Sequence, residues 1–146
     1  LHLRLGHHPL IARVGPHDLI FSYFGSADPA DYGIRHQSLL PVSPAYFQAA
    51  AMPGASPHAT TGDTHRHPAP REFLAVSATN LRGVYYTDRT IFDWLRPRAP
   101  LAVIGGTIFV YDITRDREAH ERLARLYRMQ GSVEEETAET AWLKRL

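Results

Sequence analysis

The sequence predicts an α/β fold: a small mixed sheet with flanking short helices and a C-terminal αα-hairpin. Three observations carry that expectation. Short aromatic and β-branched runs bounded by turn residues recur at 17–25, 72–78 and 101–113. Pro-containing helix starts stand between the first two of them. From Asp116 onward the apolar spacing lengthens to the three-to-four period of a helix. With 146 residues, 44% of them hydrophobic, the chain is long enough to bury one substantial core. The expected division is an α/β domain over 1–113, with a flexible His- and Pro-rich loop at 53–71, and a helical hairpin over 114–146 packed on it.

Taken in order, "HDLIFSYFG" (17–25) is a short apolar run closed by glycine and reads as a buried strand. Asp28 then suits an N-cap, Pro29 the first helical position and Asp31 the positive helix end, with Gly33 as the stop. "SPAYFQAAAM" (43–52) repeats the pattern, capped by Ser43 and terminated by Pro53-Gly54. Residues 53–71 contain no large apolar side chain, so they cannot contribute to a core. "EFLAVSATN" begins as a second buried strand and runs into a polar segment. Thr90 with Asp93 forms a Thr-x-x-Asp box for a short helix that Pro97 ends. "LAVIGGTIFVYDI" (101–113) is two β runs around Gly105-Gly106, a tight hairpin that adds an antiparallel edge.

In the last third Ala119, Leu123, Leu126 and Tyr127 line one helical face, and Glu121 with Arg125 makes an i, i+4 pair. Gly131 stops this helix, and Ser132 with Glu135 is a Ser-x-x-Glu capping box for the next. "LARLYRMQG" resembles the first helix and turn of a tetratricopeptide repeat. The second helix departs from that repeat, with Glu136 where a small alanine is wanted. A single imperfect copy forms no stacked array.

Composition removes several classes of function. A net charge of +1 leaves no nucleic-acid footprint, so no nucleic-acid partner is expected. The absence of cysteine removes disulfides, thiolate nucleophiles and Cys-based zinc sites. Of the 16 lysines and arginines only Lys144 is a lysine, which removes Schiff-base and P-loop chemistry from the body of the chain. No apolar run approaches the roughly 18 residues of a membrane span. The chain opens at Leu1 rather than Met and is expected to belong to a longer polypeptide.

The candidate ligand site is a rim. If 18–24 and 73–78 are neighbouring parallel strands, their C-terminal ends bring together Ser26, Asp28, Ser77, Thr79 and Asn80. Tyr32 and Tyr85, with Tyr23, would add aromatic faces on which sugars stack. The plainer alternative is that Asp28 and Asn80 satisfy local backbone donors. For a metal, the weak candidates are His58, Asp63, His65 and His67, imidazoles and a carboxylate within ten residues. Ser77 lacks the glycine frame of a nucleophile elbow, and His120 has no evident claim to a triad. No catalytic residue and no cofactor is expected.

The motifs "YFGSADPADYGI", "LAVSATNLRGVY" and "WLRPRAPLAVIGGTIFVYDI", in that order, resemble the soluble C-terminal part of polytopic membrane glycosyltransferases of the dolichyl-phosphate-mannose protein mannosyltransferase type. The resemblance covers roughly residues 17–113. It implies an extracytoplasmic domain placed after many membrane spans, whose catalytic acidic residue lies in a loop near the N-terminal spans, outside this chain. The expected role is therefore that of a non-catalytic accessory domain. It would position an acceptor glycan or a polyprenyl-phosphate sugar, with the membrane portion of the same polypeptide as its partner. Two alternatives stand beside it. One is a soluble interaction module that docks a protein through residues 117–146, with an apolar patch around Leu126, Trp142 and Leu146. The other is a self-contained small hydrolase, which needs a perturbed titratable pair in a cleft.

Overall fold

The computed structural model describes residues 19–25, 34, 36–39 and 71–146. The short helices expected after Asp28 and Ser43, and the loop of 53–70, lie outside the described residues.

A five-stranded mixed sheet organises the fold, in the order β2-β1-β3-β5-β4. The strands are β1 (Leu19–Ser22), β2 (Gln37–Ser38), β3 (Phe73–Ser77), β4 (Ala102–Ile104) and β5 (Ile108–Asp112). β1 pairs in parallel with both β2 and β3, and β3 pairs antiparallel with β5. The two central runs are therefore parallel neighbours, as the rim requires. β1 and β3 are buried on both faces, which is why each reads as a continuous apolar run rather than an alternation.

Period-two geometry divides these residues between two cores. Ile20, Leu74, Val76 and Tyr111 face one side, where they meet Phe92, Leu95, Leu123 and Tyr127. Leu19, Phe21, Phe73, Ala75 and Val110 face the other, with Ile34, Ile104 and Ile108. The β4–β5 hairpin forms as expected, because Gly105 and Gly106 both adopt positive φ, 60° and 71°, and so match the twist of the strands they join.

Helix α1 (Ala78–Leu81) comes directly after β3, and its N-cap is Ser77, whose hydroxyl accepts from the Asn80 backbone N–H. The polar Ser-Ala-Thr-Asn segment is thus a capped helical turn rather than a frayed strand end. Helix α2 (Arg117–Gln130) is capped by Asp116 at its start and ended by Gly131 in the left-handed region. Helix α3 (Val133–Leu143) packs against α2. Among the described residues no helix is long and apolar enough to cross a membrane.

Three local expectations are corrected. Thr90 does not cap a helix through its side chain: its hydroxyl donates to Asp88 at 2.6 Å, and the next element is only a short 3-10 turn, Asp93–Leu95. The Ser132–Glu135 box does not close either. The Ser132 hydroxyl accepts from Gln130 Nε2 at 3.0 Å, and Glu135 accepts from Gln37 Nε2 at 3.0 Å. Glu121 pairs with Arg117, at 3.8 Å, rather than with Arg125. In each case another partner takes the group, and local spacing alone does not rank the candidates.

Candidate functional site

The rim is built where β1 and β3 end. Ser22 closes β1 in register with Val76, so Ser77 stands one residue beyond it on the neighbouring strand. Ser77 accepts from two backbone donors, Phe24 N at 3.2 Å and Asn80 N at 3.4 Å, and so ties the exit of β1 to the start of α1. The α1 turn carries Asn80 back over the sheet, where its Nδ2 donates to Ser22 Oγ at 3.0 Å. Ser22 Oγ in turn meets the Tyr86 hydroxyl at 3.2 Å. Asn80 is 1% exposed, and its buried Oδ1 has no hydrogen-bond partner among the described residues. Such an unfilled acceptor costs about 1–3 kcal/mol unless a hydroxyl or water reaches it.

An aromatic pair flanks this polar line. Tyr85 is 50% exposed and stacks on Phe24, with ring centroids 4.8 Å apart and an interplanar angle of 16°. Of the residues expected at the rim, Ser77, Asn80 and Tyr85 are brought to this end of the sheet. Thr79 lies half-buried on α1. Ser26, Asp28 and Tyr32 lie outside the described residues, as do His58, Asp63, His65 and His67. Ser22 and Tyr86 belong to the rim and were missed in the sequence. Alternation along "LIFS" does place Ser22 on the face of Ile20, and that is the one signal that could have found it.

A second polar cluster lies inside the larger core. Glu72, immediately before β3, shares the sheet face of Leu74. His120 lies on α2 and Glu139 on α3. His120 Nδ1 is 2.5 Å from Glu139 Oε2 and 3.5 Å from Glu72 Oε2, and all three side chains are at most 2% exposed. The Trp142 ring lies against the imidazole at 5.3 Å. Sequence reading gave His120 no role, although its spacing of three and seven residues from Leu123 and Tyr127 puts it on the buried face of α2.

Three groups among the described residues have their ionisation displaced. Asp88 is held below the usual carboxylate range by the hydroxyl and backbone N–H of Thr90. At Asp112 burial is the largest influence and pushes the carboxyl up, but the Thr114 hydroxyl and N–H and the Arg71 guanidinium together bring it below its ordinary value. Burial pushes the Tyr111 phenol up. Each of these has a local structural cause. Of the patch expected on the terminal helices, Leu146 is exposed, Trp142 half-buried and Leu126 buried, while Met129 and Val133 are also exposed at the turn between α2 and α3.

Compared with models of protein families, with curated proteins and with solved structures, the chain matches none.

Proposed function

We propose that this chain is a non-catalytic, extramembrane accessory domain of a membrane glycosyltransferase, and that the rim at the ends of β1 and β3 binds a sugar. The sugar belongs to an acceptor glycan or to a polyprenyl-phosphate donor. The observation that carries the reading is the pairing of the Asn80–Ser22–Tyr86 hydrogen-bond line with the Tyr85–Phe24 stack, whose Tyr85 ring is exposed, at the carboxyl ends of two parallel strands. Sugars present hydroxyl edges and apolar ring faces, and these two features offer a partner for each. Tyr85 offers a face for the ring, and Asn80 Oδ1, which is buried, accepts a ligand hydroxyl once the rim opens to admit it. The class of enzyme rests on the resemblance of the three motifs across 17–113.

The test is an amide NMR titration of the chain with soluble oligosaccharides and with a short-chain polyprenyl-phosphate sugar. Shifts are expected at Ser77, at the Asn80 side-chain amide and around Tyr85. Tyr85→Ala should weaken binding roughly five- to ten-fold, the equivalent of about 1–1.4 kcal/mol, with an unchanged melting temperature. A rim that stays silent toward both ligand classes would overturn the sugar-binding reading. The native reading frame upstream of Leu1 tests the enzyme class separately, through the presence of several apolar spans of about 20 residues.

A further inference from the structure

We infer that Glu72, His120 and Glu139 form a binding site for one divalent cation of the zinc type. The three residues come from three separate elements, the entrance to β3, α2 and α3. One donor atom from each lies within 4.8 Å of the others. Imidazole with carboxylate is a zinc-type ligand set, and four donors result if one carboxylate binds through both oxygens. The charge also balances, because a divalent cation with two carboxylates and a neutral imidazole is neutral overall. That is the state a dry interior tolerates best.

The distances suit such an exchange. Two donors about 2.1 Å from a tetrahedral zinc stand roughly 3.4 Å apart. The 3.5 Å between His120 Nδ1 and Glu72 Oε2 already has that length. The 2.5 Å between Nδ1 and Glu139 Oε2 is a hydrogen bond, and it must open by somewhat under about 1 Å. On binding, one proton is released to solvent, the imidazole stays neutral with its remaining proton on Nε2, and the cation takes the place of the shared proton between Nδ1 and Glu139 Oε2.

Two further observations concern how the donors are held. The Glu72 backbone is pinned on both sides: its N–H donates to Thr114 Oγ1 at 3.0 Å, and its carbonyl accepts from Ile113 N at 3.0 Å. The carbonyl of the same Thr114 accepts from Trp142 Nε1 at 3.2 Å, and Trp142 lies against the imidazole. One turn thus positions both a ligand and the ring that covers the site. The second observation is α3 itself. Its buried residues are Glu135 and Glu139, so this helix has no apolar stripe of the ordinary kind to dock it. A cation joining Glu139 to His120 of α2 and to Glu72 beside the sheet would add to the polar contacts that hold this helix.

The test uses the full chain with His2, His7, His8, His17, His58, His65 and His67 replaced by alanine and His36 by glutamine, so that His120 is the one histidine left. After chelator treatment this protein is titrated with Zn²⁺ by calorimetry and with Co²⁺ by visible absorption, and its melting temperature is tracked. One equivalent is expected to bind, with a Co²⁺ ligand-field band and a raised melting temperature. Glu139→Gln, nearly isosteric, should weaken binding at least about 100-fold, as should Glu72→Gln in case the first variant fails to fold. Folding is checked by circular dichroism. Absence of stoichiometric binding to the His120-containing parent overturns the site, whatever the variants do. So does binding that survives in a folded Glu139→Gln or Glu72→Gln chain. The sugar-binding rim does not enter this experiment.

Discussion

Gly83 and Gly106 share a left-handed backbone, φ 65° and 71°, but not a neighbourhood. A Cβ on Gly106 meets nothing within 4 Å, whereas one on Gly83 stands 2.3 Å from the Arg89 carbonyl oxygen, a backbone atom that cannot swing away. Gly106→Ala should therefore cost only the conformational penalty of about 1 kcal/mol. Gly83→Ala should cost that and a steric clash besides, roughly 3 kcal/mol or more. Urea denaturation of the two variants checks the order, and equal losses would mean that the loop after α1 does not close on Arg89. The consequence reaches the rim, because this loop carries Tyr85 and Tyr86 to their positions beside Phe24 and Ser22. Ser77 and Asn80 could be singled out in the sequence from the polar residues at the end of an apolar run. For Ser22 the alternation along β1 gives its face, but not its partner, since the bond from Asn80 spans 58 residues.

At the scale of elements, helix ends separate what a residue type promises from what it does. Asp116 Oδ1 accepts from Ala119 N at 3.0 Å and starts α2, while Ser132 makes no side-chain cap to α3. Asp116 also pairs with Arg98, which in turn reaches Glu118 at 2.6 Å and lies over the Trp94 ring. Asp116→Ala is expected to lower stability by about 1–2 kcal/mol, and Ser132→Ala by less than about 0.5 kcal/mol. Asp116→Asn keeps the cap and loses the ion pair, so it should recover most of the loss, since such part-exposed pairs contribute little. Thermal melts of the three variants read the differences directly. A Ser132→Ala loss as large as that of Asp116→Ala would restore the capping box. β2 shows the opposite limit. With two residues, Gln37 and Ser38, it carries too little sequence to announce itself, and it exists because β1 presents a parallel edge to it.

Across the whole molecule, the larger core is closed by α2, which lays Ala119, Leu123, Leu126 and Tyr127 over Ile20, Leu74, Val76 and Tyr111. The sheet and α2 therefore bury one another's apolar surface. A chain cut after Thr114 should lose its cooperative thermal transition, because that sheet face would be left to water and Glu72 would lose His120 and Glu139. A truncated chain that still melts cooperatively at the full-length temperature would instead make residues 114–146 an independent module. The outcome bears on function too, since the rim stands on the same β1 and β3 that this core supports.

What the sequence by itself determined is whatever depends on neighbours a few residues away. The Gly105-Gly106 turn, the start of α2 at Asp116 and its stop at Gly131, and the buried character of β1 and β3 are all of this kind. Each arises from backbone freedom, a short-range hydrogen bond or an apolar run, and these act within about one turn or one strand. Only the tertiary structure decided that Glu135 would accept from Gln37, 98 residues away, rather than close a box with Ser132. Only it drew Ser22, Asn80 and Tyr86 into one line and Glu72, His120 and Glu139 into one cluster. The reason is physical: a buried polar group must be satisfied by whatever packing brings to it, and packing joins residues that the chain keeps far apart.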